Sequence, residues 1–260
     1  MNEPAANFRF YEELNDFLPQ KWKKTDFSYP ISPNATIKDT IEAIGVPHTE
    51  VDLILINGHS VDFGYRLRNA DRVSVYPIFE TLNISNVTAL RPDPLRIIRF
   101  ILDVQLGKLA RLLRMFGFDT LYENDYTDTD IVRIAMETER IILTRDIGIL
   151  KRKRVLRGYW VRSVHAEEQI REVLNHFQLE NQLAPFKRCI QCNTFLVPVS
   201  KENILERLPL HIQQTFNEFQ HCPRCDKIYW KGSHYERMVA KISKWTADKQ
   251  TSHNRNKHGE

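Results

Sequence analysis

The sequence predicts an α/β domain with a parallel sheet, preceded by a small α+β domain and followed by a cysteine-rich segment. Three observations support this prediction. Several short strands surround one helix in residues 8–80, strands and helices alternate over residues 100–177, and four cysteines form two Cys-x2-Cys pairs in the last third of the chain. Regular alternation of strands and helices is typical of a parallel sheet between two helical layers.

The N-terminal region contains one predicted helix among short strands. The helix is predicted over residues 36–44 and ends at Gly45. The run "LILING" and the run "HSVDFG" predict two strands joined by a tight turn at Asn57-Gly58, and "RVSVYP" predicts a further strand. One helix among several short strands is typical of a small α+β domain of the grasp type.

The α/β region begins after a polar segment. Residues 81–96 contain two prolines and are predicted to be a linker. From "RFILDV" onward, predicted strands alternate with helices over residues 106–116, from about residue 128, and over residues 166–177. Residues 241–260 are polar and basic, so we predict a disordered tail.

Length, composition and charge limit the class of protein. The chain has 260 residues, 42% of them hydrophobic, and a net charge of +4 that says little about partners. No apolar run is long enough to span a membrane, and the N-terminus lacks the apolar segment of a secretory signal. We therefore expect a cytoplasmic protein with no membrane partner, whose paired cysteines bind a metal rather than form disulfides.

Three acids follow or flank the predicted strands of the α/β region. Asp103 directly follows an apolar strand, Asp146 ends "IILTRD", and Asp128 opens a helix. In a parallel sheet the carboxyl ends of the strands line a crevice. A carboxylate buried there is costly unless it is paired or binds a cation, and oxygen ligands with open positions suit Mg²⁺ or Mn²⁺. The sequence therefore predicts a metal–carboxylate site at these three residues.

Each of these acids also has a structural interpretation. Asp128 is a suitable helix N-cap, Asp130 complements the helix dipole, and Asp146 could cap the short helix that follows it. Asp128 and Asp130 both remain candidates for the second catalytic acid, and Glu123 and Asp125 are candidates for a further ligand.

Cationic side chains flank the acids along the chain. One group is predicted to share a face of the helix after the first strand: Lys108, Arg111 and Arg114. A second group lies in sequence beside the third acid: Arg145, Lys151 and Arg152. A run of charges is usually a solvated face, but cations beside an acidic metal site are suited to hold phosphates near it. We therefore predict that these six residues bind RNA.

The cysteine pairs have the spacing of a structural zinc site. The four residues are Cys189, Cys192, Cys222 and Cys225. Two such pairs can form the two knuckles of a zinc ribbon, in which four thiolates leave no open position for catalysis. Trp230 and His234 follow the second pair, and stacking combined with positive charge suits single-stranded RNA. Alternatively, Trp230 packs in the small core of the ribbon.

Residues 97–238 resemble the Mut-seven C-terminal RNase family, a PIN-like nuclease domain with an appended zinc ribbon. The resemblance lies in "RFILDVQLGKLARLLRMFGFDT", "DTDIVRIA", "RIILTRDIGILKRK" and "CPRCDKIYWKGSHYERM". Residues 8–80 resemble a ubiquitin-like domain of the sulfur-carrier type, through "TIKDTIEAIGVPHTEVDLILINGHSVDFGYRLRNADRVSVYP". The resemblance implies a metal-dependent ribonuclease with Asp103, Asp128 and Asp146 at the positions of the family's acids.

The chain departs from these families at three places. Gln105 stands where the first nuclease motif commonly has histidine, and Ser163 and His165 stand where PIN-like nucleases often have another acid. The terminal Gly-Gly of sulfur carriers is absent, because "PIFETLN" follows Tyr76. Thiocarboxylate chemistry is therefore not expected of the first domain.

The predicted architecture has five segments. They are a ubiquitin-like β-grasp domain (1–80), a linker (81–96), a PIN-like RNase domain (97–182), a zinc ribbon (183–240) and the tail (241–260). We predict a Mg²⁺- or Mn²⁺-dependent ribonuclease with a structural zinc ion, and analogy alone suggests transfer or ribosomal RNA as substrate. The alternatives are a non-catalytic RNA-binding protein and an adaptor that binds a protein partner through the ubiquitin-like domain. Because that domain offers no convergent acids or histidines, we expect it to be dispensable for cleavage.

Overall fold

The computed structural model describes residues 3–77, 90, 98–233, 235–237 and 239–240. Apart from residue 90, the predicted linker 81–96 lies outside the described residues, as do the predicted tail 241–260 and His234. Within these described ranges, none of the helices has both the length and the apolar character needed to cross a membrane.

The N-terminal domain is a five-stranded mixed sheet with one α-helix. Its elements are β1 (Ala5–Phe10), β2 (Phe27–Pro30), α1 (Ile37–Ile44), β3 (Val51–Ile56), β4 (His59–Ser60) and β5 (Arg72–Pro77). The sheet order is β2-β1-β5-β3-β4, in which β1 and β5 are parallel and the other neighbours antiparallel. Phe8 and Ile54 of the sheet share one buried core with Ile41 of α1. This mixed sheet fits the predicted ubiquitin-like domain.

Local sequence explains where these elements end. The Thr36 hydroxyl accepts a hydrogen bond from the Asp39 N–H, and the Asp39 carboxylate accepts one from the Thr36 N–H, which completes a capping box on α1. Gly45 ends the helix with a φ of 132°. Asn57 and Gly58 both have positive φ, as the tight turn between β3 and β4 requires. The predicted helix is confirmed, and the predicted hairpin forms with a return strand of only two residues, His59–Ser60.

The α/β region alternates strands with helices. Its elements are β6 (Arg99–Leu102), α2 (Gly107–Met115), β7 (Asp119–Leu121), α3 (Asp128–Thr138), β8 (Ile141–Thr144), α4 (Ile147–Leu150), β9 (Gly158–Trp160) and α5 (Ala166–His176). Strand β8 pairs in parallel with β6 on one side and with β9 on the other. Every residue of β8 is buried, as expected for a central parallel strand. Asp103 and Asp146 therefore follow the carboxyl ends of neighbouring strands.

The cysteine segment contains a small antiparallel sheet. Its elements are β10 (Val197–Val199), α6 (Leu210–Thr215), β11 (Phe219–His221) and β12 (Ile228–Trp230), and β11 is the middle strand. The second cysteine pair lies in the connection between β11 and β12. Ile204, Leu208, Ile212 and Phe219 form a separate buried cluster beside this sheet. The arrangement is compatible with the predicted zinc ribbon.

The described chain divides into two compact units, each made of two stretches of sequence. The first unit consists of Met1–Gly107 and Tyr122–Arg162, and the second of Lys108–Leu121 and Ser163–Glu260. The ubiquitin-like domain therefore shares a unit with strands β6, β8 and β9. Helix α2 and strand β7 belong instead to the unit of α5 and the cysteine segment.

Candidate active site and metal centre

A buried threonine joins the two acids that follow neighbouring strands. Asp103 is 4% exposed, and its Oδ2 accepts a hydrogen bond from the Thr144 hydroxyl at 2.9 Å. The same hydroxyl oxygen accepts a hydrogen bond from the Asp146 N–H at 2.8 Å. Because a hydroxyl has one proton, these two bonds fix the orientation of the Thr144 O–H group: it donates to the Asp103 carboxylate and accepts from the Asp146 N–H. Thr144 was not among the residues predicted from the sequence, although its place at the end of an apolar strand, two residues before Asp146, is a signal for it.

The turn after Asp103 is held by Tyr122. The Tyr122 hydroxyl donates to the Val104 carbonyl at 3.0 Å. A Cβ atom at Gly107 would lie 2.6 Å from the phenolic oxygen, so a larger residue would displace the ring. Glycine at position 107 therefore allows the phenol to lie against the start of α2 and hold the backbone beside the acid.

Asp146 is an exposed residue that caps the next helix. Its Oδ1 accepts a hydrogen bond from the Gly148 N–H at 2.7 Å, which makes Asp146 the N-cap of α4. Asp146 therefore has the helix-capping role that its structural interpretation predicts. The hydrogen bond also fixes the direction of the carboxylate without burying it.

The N-cap of helix α3 is not the residue that the sequence suggested. Thr127, not Asp128, is the N-cap: its hydroxyl donates to Asp130 Oδ2 at 2.6 Å and accepts from the Asp130 N–H at 3.2 Å. Asp130 also forms an ion pair with Arg133 at 3.3 Å. The pKa of Asp130 is lowered, first by the hydrogen bond from the Thr127 hydroxyl. The carboxylate of this candidate catalytic residue is therefore used to cap α3.

Asp128 occupies the first position of α3 and is partnered. Its Oδ2 lies 2.8 Å from a terminal nitrogen of Arg152. Among the described residues, the one group of at least three possible metal ligands whose atoms lie within 4.8 Å of one another is the four cysteines. Asp103, Asp128 and Asp146 do not form such a group, so the expectation of three converging carboxylates is not met by a preformed cluster.

The cations predicted to bind RNA fall into two classes. Arg114 is 4% exposed, its Nε donates to the Thr120 carbonyl at 2.9 Å, and a terminal nitrogen donates to the Gln191 carbonyl at 2.7 Å. The charge of Arg114 is therefore buried among backbone acceptors and does not lie on the exposed helix face with Lys108 and Arg111. Lys108 and Arg111 of the same helix are exposed and, within the described part of the chain, have no ion-pair partner.

The cations near Asp146 in sequence also differ from one another. Lys151 Nζ donates to the Glu42 carbonyl at 2.9 Å, and burial lowers the pKa of this amine. Arg152 is paired with Asp128, as described above. Arg145 is half-buried, and among the described residues no ion pair involves its guanidinium. Lys108, Arg111 and Arg145 are therefore the predicted cations that remain available to phosphate.

Trp230 packs where the alternative interpretation placed it. Its indole is partly buried against the cluster beside the antiparallel sheet, with its ring centroid 6.5 Å from that of Phe219. A Cβ atom at Gly232 would lie 2.8 Å from the indole nitrogen. This packing uses part of the ring surface that stacking on RNA would need, so the RNA-binding prediction for Trp230 loses support.

The four cysteines form a tetrad suited to one metal ion. The Sγ atoms of Cys189 and Cys225 are 3.3 Å apart, those of Cys192 and Cys222 are 3.4 Å apart, and all four lie within 4.8 Å of one another. A tetrahedral zinc ion with Zn–S bonds of about 2.3 Å separates its sulfurs by about 3.8 Å. The observed spacing needs small adjustments to accept such an ion. The residues therefore fit the predicted structural metal.

The two cysteine pairs have the same backbone geometry. The Cys189 N–H donates to the Thr194 carbonyl at 2.8 Å, and the Cys222 N–H donates to the Lys227 carbonyl at 2.9 Å. Asn193 has a φ of 66° at the position that directly follows its pair. Burial raises the pKa of the Cys192 thiol, but hydrogen bonds with Thr194 and with the neighbouring thiols of Cys222 and Cys189 together lower it further, to about 6.

The first cysteine pair is tied to β7 and α2 within the second unit. Asn193 Oδ1 accepts from the Thr120 N–H at 3.0 Å, and Asn193 Nδ2 donates to Asp119 Oδ1 at 2.8 Å. The guanidinium of Arg114 reaches the carbonyl of Gln191, between the two cysteines of this pair. A metal that orders this pair therefore also orders its contacts with the α/β region.

Comparison with known proteins agrees with this architecture. Residues 98–242 match the family described as the Mut7-C RNAse domain, and residues 3–83 match the one described as Mut7-C ubiquitin. The crystal structure of H. volcanii small archaeal modifier protein 1 is similar to 28% of this chain and 97% of its own, at 13% identity. Its TM-score is 0.23, too low for a conclusion about the fold. Among curated proteins, none matches the chain at a significant level.

The nuclease match alone spans more than half of the chain and includes the acids, their flanking cations and the cysteine tetrad. The chain therefore belongs to the Mut7-C RNAse domain family, with a Mut7-C ubiquitin domain preceding its nuclease domain.

Proposed function

We propose that this protein is a ribonuclease that hydrolyses RNA phosphodiester bonds with Mg²⁺ or Mn²⁺ held by Asp103 and Asp146. One observation carries the proposal: the Thr144 hydroxyl donates to the buried carboxylate of Asp103, after β6, and accepts from the backbone N–H of Asp146, after β8. Membership of a nuclease-type family supports the same activity.

The donor chemistry of these residues fits a hard divalent cation. Mg²⁺ and Mn²⁺ prefer oxygen ligands and retain several waters, so a few carboxylates suffice. The Thr144 hydroxyl and the Gly148 N–H each donate to one carboxylate, as the outer partners of metal ligands commonly do. Asp128 is proposed as a further ligand or as the group that orients water, once it leaves Arg152.

The chain's own cations are proposed to position the RNA. A divalent cation at this site, when bound, polarises a phosphate oxygen and lowers the pKa of water. Lys108, Arg111 and Arg145 carry charges with no ion-pair partner in the described part of the chain, and they are proposed to bind phosphates.

The cysteine tetrad is proposed to bind one Zn²⁺ in a structural role. A closed set of four thiolates leaves no position for substrate, and the hydrogen bonds of Asn193 and Arg114 connect it to the nuclease domain. Zinc would therefore stabilise this unit rather than take part in cleavage.

Sequencing the ends of RNA fragments tests both the activity and the substrate. Total RNA is incubated with Mn²⁺ and either the wild-type protein or Asp103→Asn, and the new 5′ and 3′ ends are mapped. New ends with the wild type alone, concentrated in transfer or ribosomal RNA, would support the proposal and its substrate class. Identical ends with both proteins would contradict it.

A non-catalytic RNA-binding role is the second candidate. It is favoured by the observation that Asp130 and Asp146 cap helices and that the acids do not form a preformed group. In that case the RNA bound by wild type and Asp103→Asn is the same, and neither protein cleaves it.

A further inference from the structure

The ubiquitin-like domain contributes a buried carboxylate to the edge of the nuclease sheet. Glu50 is 2% exposed, and its Oε1 accepts a hydrogen bond from the backbone N–H of Trp160 at 2.6 Å. Its Oε2 lies 3.8 Å from a terminal nitrogen of Arg162. All three residues belong to the first compact unit. A glutamate of one domain thus binds the backbone of β9, the edge strand of the sheet.

The residues at the end of β9 contact the backbone that carries the proposed site. Trp160 is the cross-strand partner of Thr144, and the Val161 N–H donates to the Thr144 carbonyl at 2.8 Å. The Trp160 indole N–H donates to the Arg145 carbonyl at 3.3 Å. The end of β9 therefore holds the two residues that precede Asp146, and one of them is the threonine bonded to Asp103.

We propose that Glu50 is a positioning residue for the site formed by Asp103 and Asp146. The ubiquitin-like domain then contributes to cleavage. The inference rests on the proposed function. Glu50 fixes the end of β9, β9 fixes the segment from Thr144 to Asp146, and the Thr144 hydroxyl orients Asp103. The expectation that the domain is dispensable for cleavage is replaced by the opposite one.

Further contacts between the two domains involve groups other than the Trp160 N–H. One of them reaches the strand indirectly, because Arg162 donates to the Trp160 carbonyl at 3.1 Å. His48 Nε2 lies 2.6 Å from the Val155 carbonyl, and Lys151 Nζ donates to the Glu42 carbonyl at 2.9 Å. Asp16 accepts from Arg162 Nε at 3.0 Å and is about half exposed. Because these contacts remain when Glu50 is replaced, a variant at position 50 can lose the strand contact while the domains stay docked.

The charge of Glu50 and its acceptor oxygen can be separated by substitution. Glu50→Gln keeps an oxygen that can accept from the Trp160 N–H and loses the charge that faces Arg162. Glu50→Ala removes both and leaves the partly buried Trp160 N–H without its acceptor. If the strand contact is what positions the site, the glutamine variant behaves like the wild type and the alanine variant does not.

The test measures Mn²⁺ binding by calorimetry on the full-length protein without RNA, together with Mn²⁺-dependent cleavage. Glu50→Ala is expected to bind Mn²⁺ roughly tenfold more weakly, the lower end of the effect of outer partners of metal ligands. Its Trp160 amide should also exchange faster with solvent. Glu50→Gln should keep the Mn²⁺ affinity of the wild type. Asp16→Asn weakens a half-exposed ion pair with Arg162 and leaves the Trp160 N–H bonded to Glu50, so it should also keep wild-type affinity.

Wild-type Mn²⁺ affinity in folded Glu50→Ala would overturn the inference and leave the proposed function intact. Equal losses in Glu50→Gln and Glu50→Ala would also overturn it, because charge and not the strand contact would then matter. If Glu50→Ala does not fold, Glu50→Asp replaces it: this variant keeps the charge and draws the acceptor oxygens back from the Trp160 N–H. Unchanged Mn²⁺ affinity in Glu50→Asp would then reject the inference. A wild-type protein that neither binds Mn²⁺ nor cleaves RNA would reject the proposed function and this inference with it.

Discussion

Replacing Arg114 tests whether helix α2 and the first cysteine pair form one folded block. The side chain is 4% exposed and donates to the carbonyls of Thr120 and Gln191 at 2.9 and 2.7 Å, with a longer contact to Ile190 at 3.3 Å. A hydrogen bond from a charged donor contributes about 1.5–3 kcal/mol, so losing the two short ones in Arg114→Ala should cost about 4 kcal/mol. Of the carbonyls left behind, that of Thr120 lies in the interior.

Denaturant unfolding of the zinc-loaded protein, followed by circular dichroism, measures this loss. Arg111→Ala is the matched control, since Arg111 lies on the same helix, is exposed, and should change stability by less than about 0.5 kcal/mol. RNA affinity should fall for Arg111→Ala and stay unchanged for the folded fraction of Arg114→Ala. Equal and small stability losses in the two variants would refute the argument, because the guanidinium would then not be buried.

Three further outcomes follow from the same structure. Elemental analysis should find about one zinc ion per chain, and Cys222→Ser should lose it. In that variant amide exchange should become faster in β7 as well as in the cysteine segment, because Asn193 joins the two. Unchanged exchange in β7 would contradict this coupling. The Thr127 hydroxyl lowers the pKa of Asp130. The contribution of this pair to folding stability is therefore present above the ordinary aspartate pKa of 3.8 and is lost as the pH falls through the lowered pKa. An NMR titration of the Asp130 carboxyl carbon with an ordinary midpoint would disprove this. Arg111→Ala should reduce the salt dependence of single-stranded RNA binding by about 0.7 of a slope unit in fluorescence anisotropy, and an unchanged slope would exclude a phosphate contact.

Local patterns in the sequence were sufficient for most of the fold. The apolar run before Asp103, the Asn57-Gly58 turn and the cysteine spacing each depend on residues close together in the chain. Their structures follow from short-range rules of strand burial, turn geometry and metal-ligand spacing. The family matches agree with the resemblance found in the same motifs.

Tertiary contacts decided what the sequence did not reveal. Arg114 lies in α2 next to the buried positions Ala110 and Leu113, so helical periodicity alone could not show whether its side chain is buried or exposed. One of its acceptors is 77 residues away in the chain. Glu50 binds a backbone N–H 110 residues away in the chain, and no local sequence pattern around it indicates this contact. Thr127 took the cap expected of Asp128 because its hydroxyl and the Asp130 carboxylate together satisfy two backbone donors.

Cleavage of a short labelled RNA by Asp103→Asn, in Mn²⁺ and at matched RNA occupancy, tests the central claim most directly. The substitution keeps the size and hydrogen-bonding capacity of the side chain and removes its negative charge. Cleavage should fall at least about a thousandfold, equivalent to about 4 kcal/mol of barrier, while folding and RNA binding persist. Asp130→Asn, which alters a capping acid on α3, should keep the wild-type rate. If folded Asp103→Asn cleaves RNA at the wild-type rate, the buried acid is structural and the proposed nuclease site is contradicted.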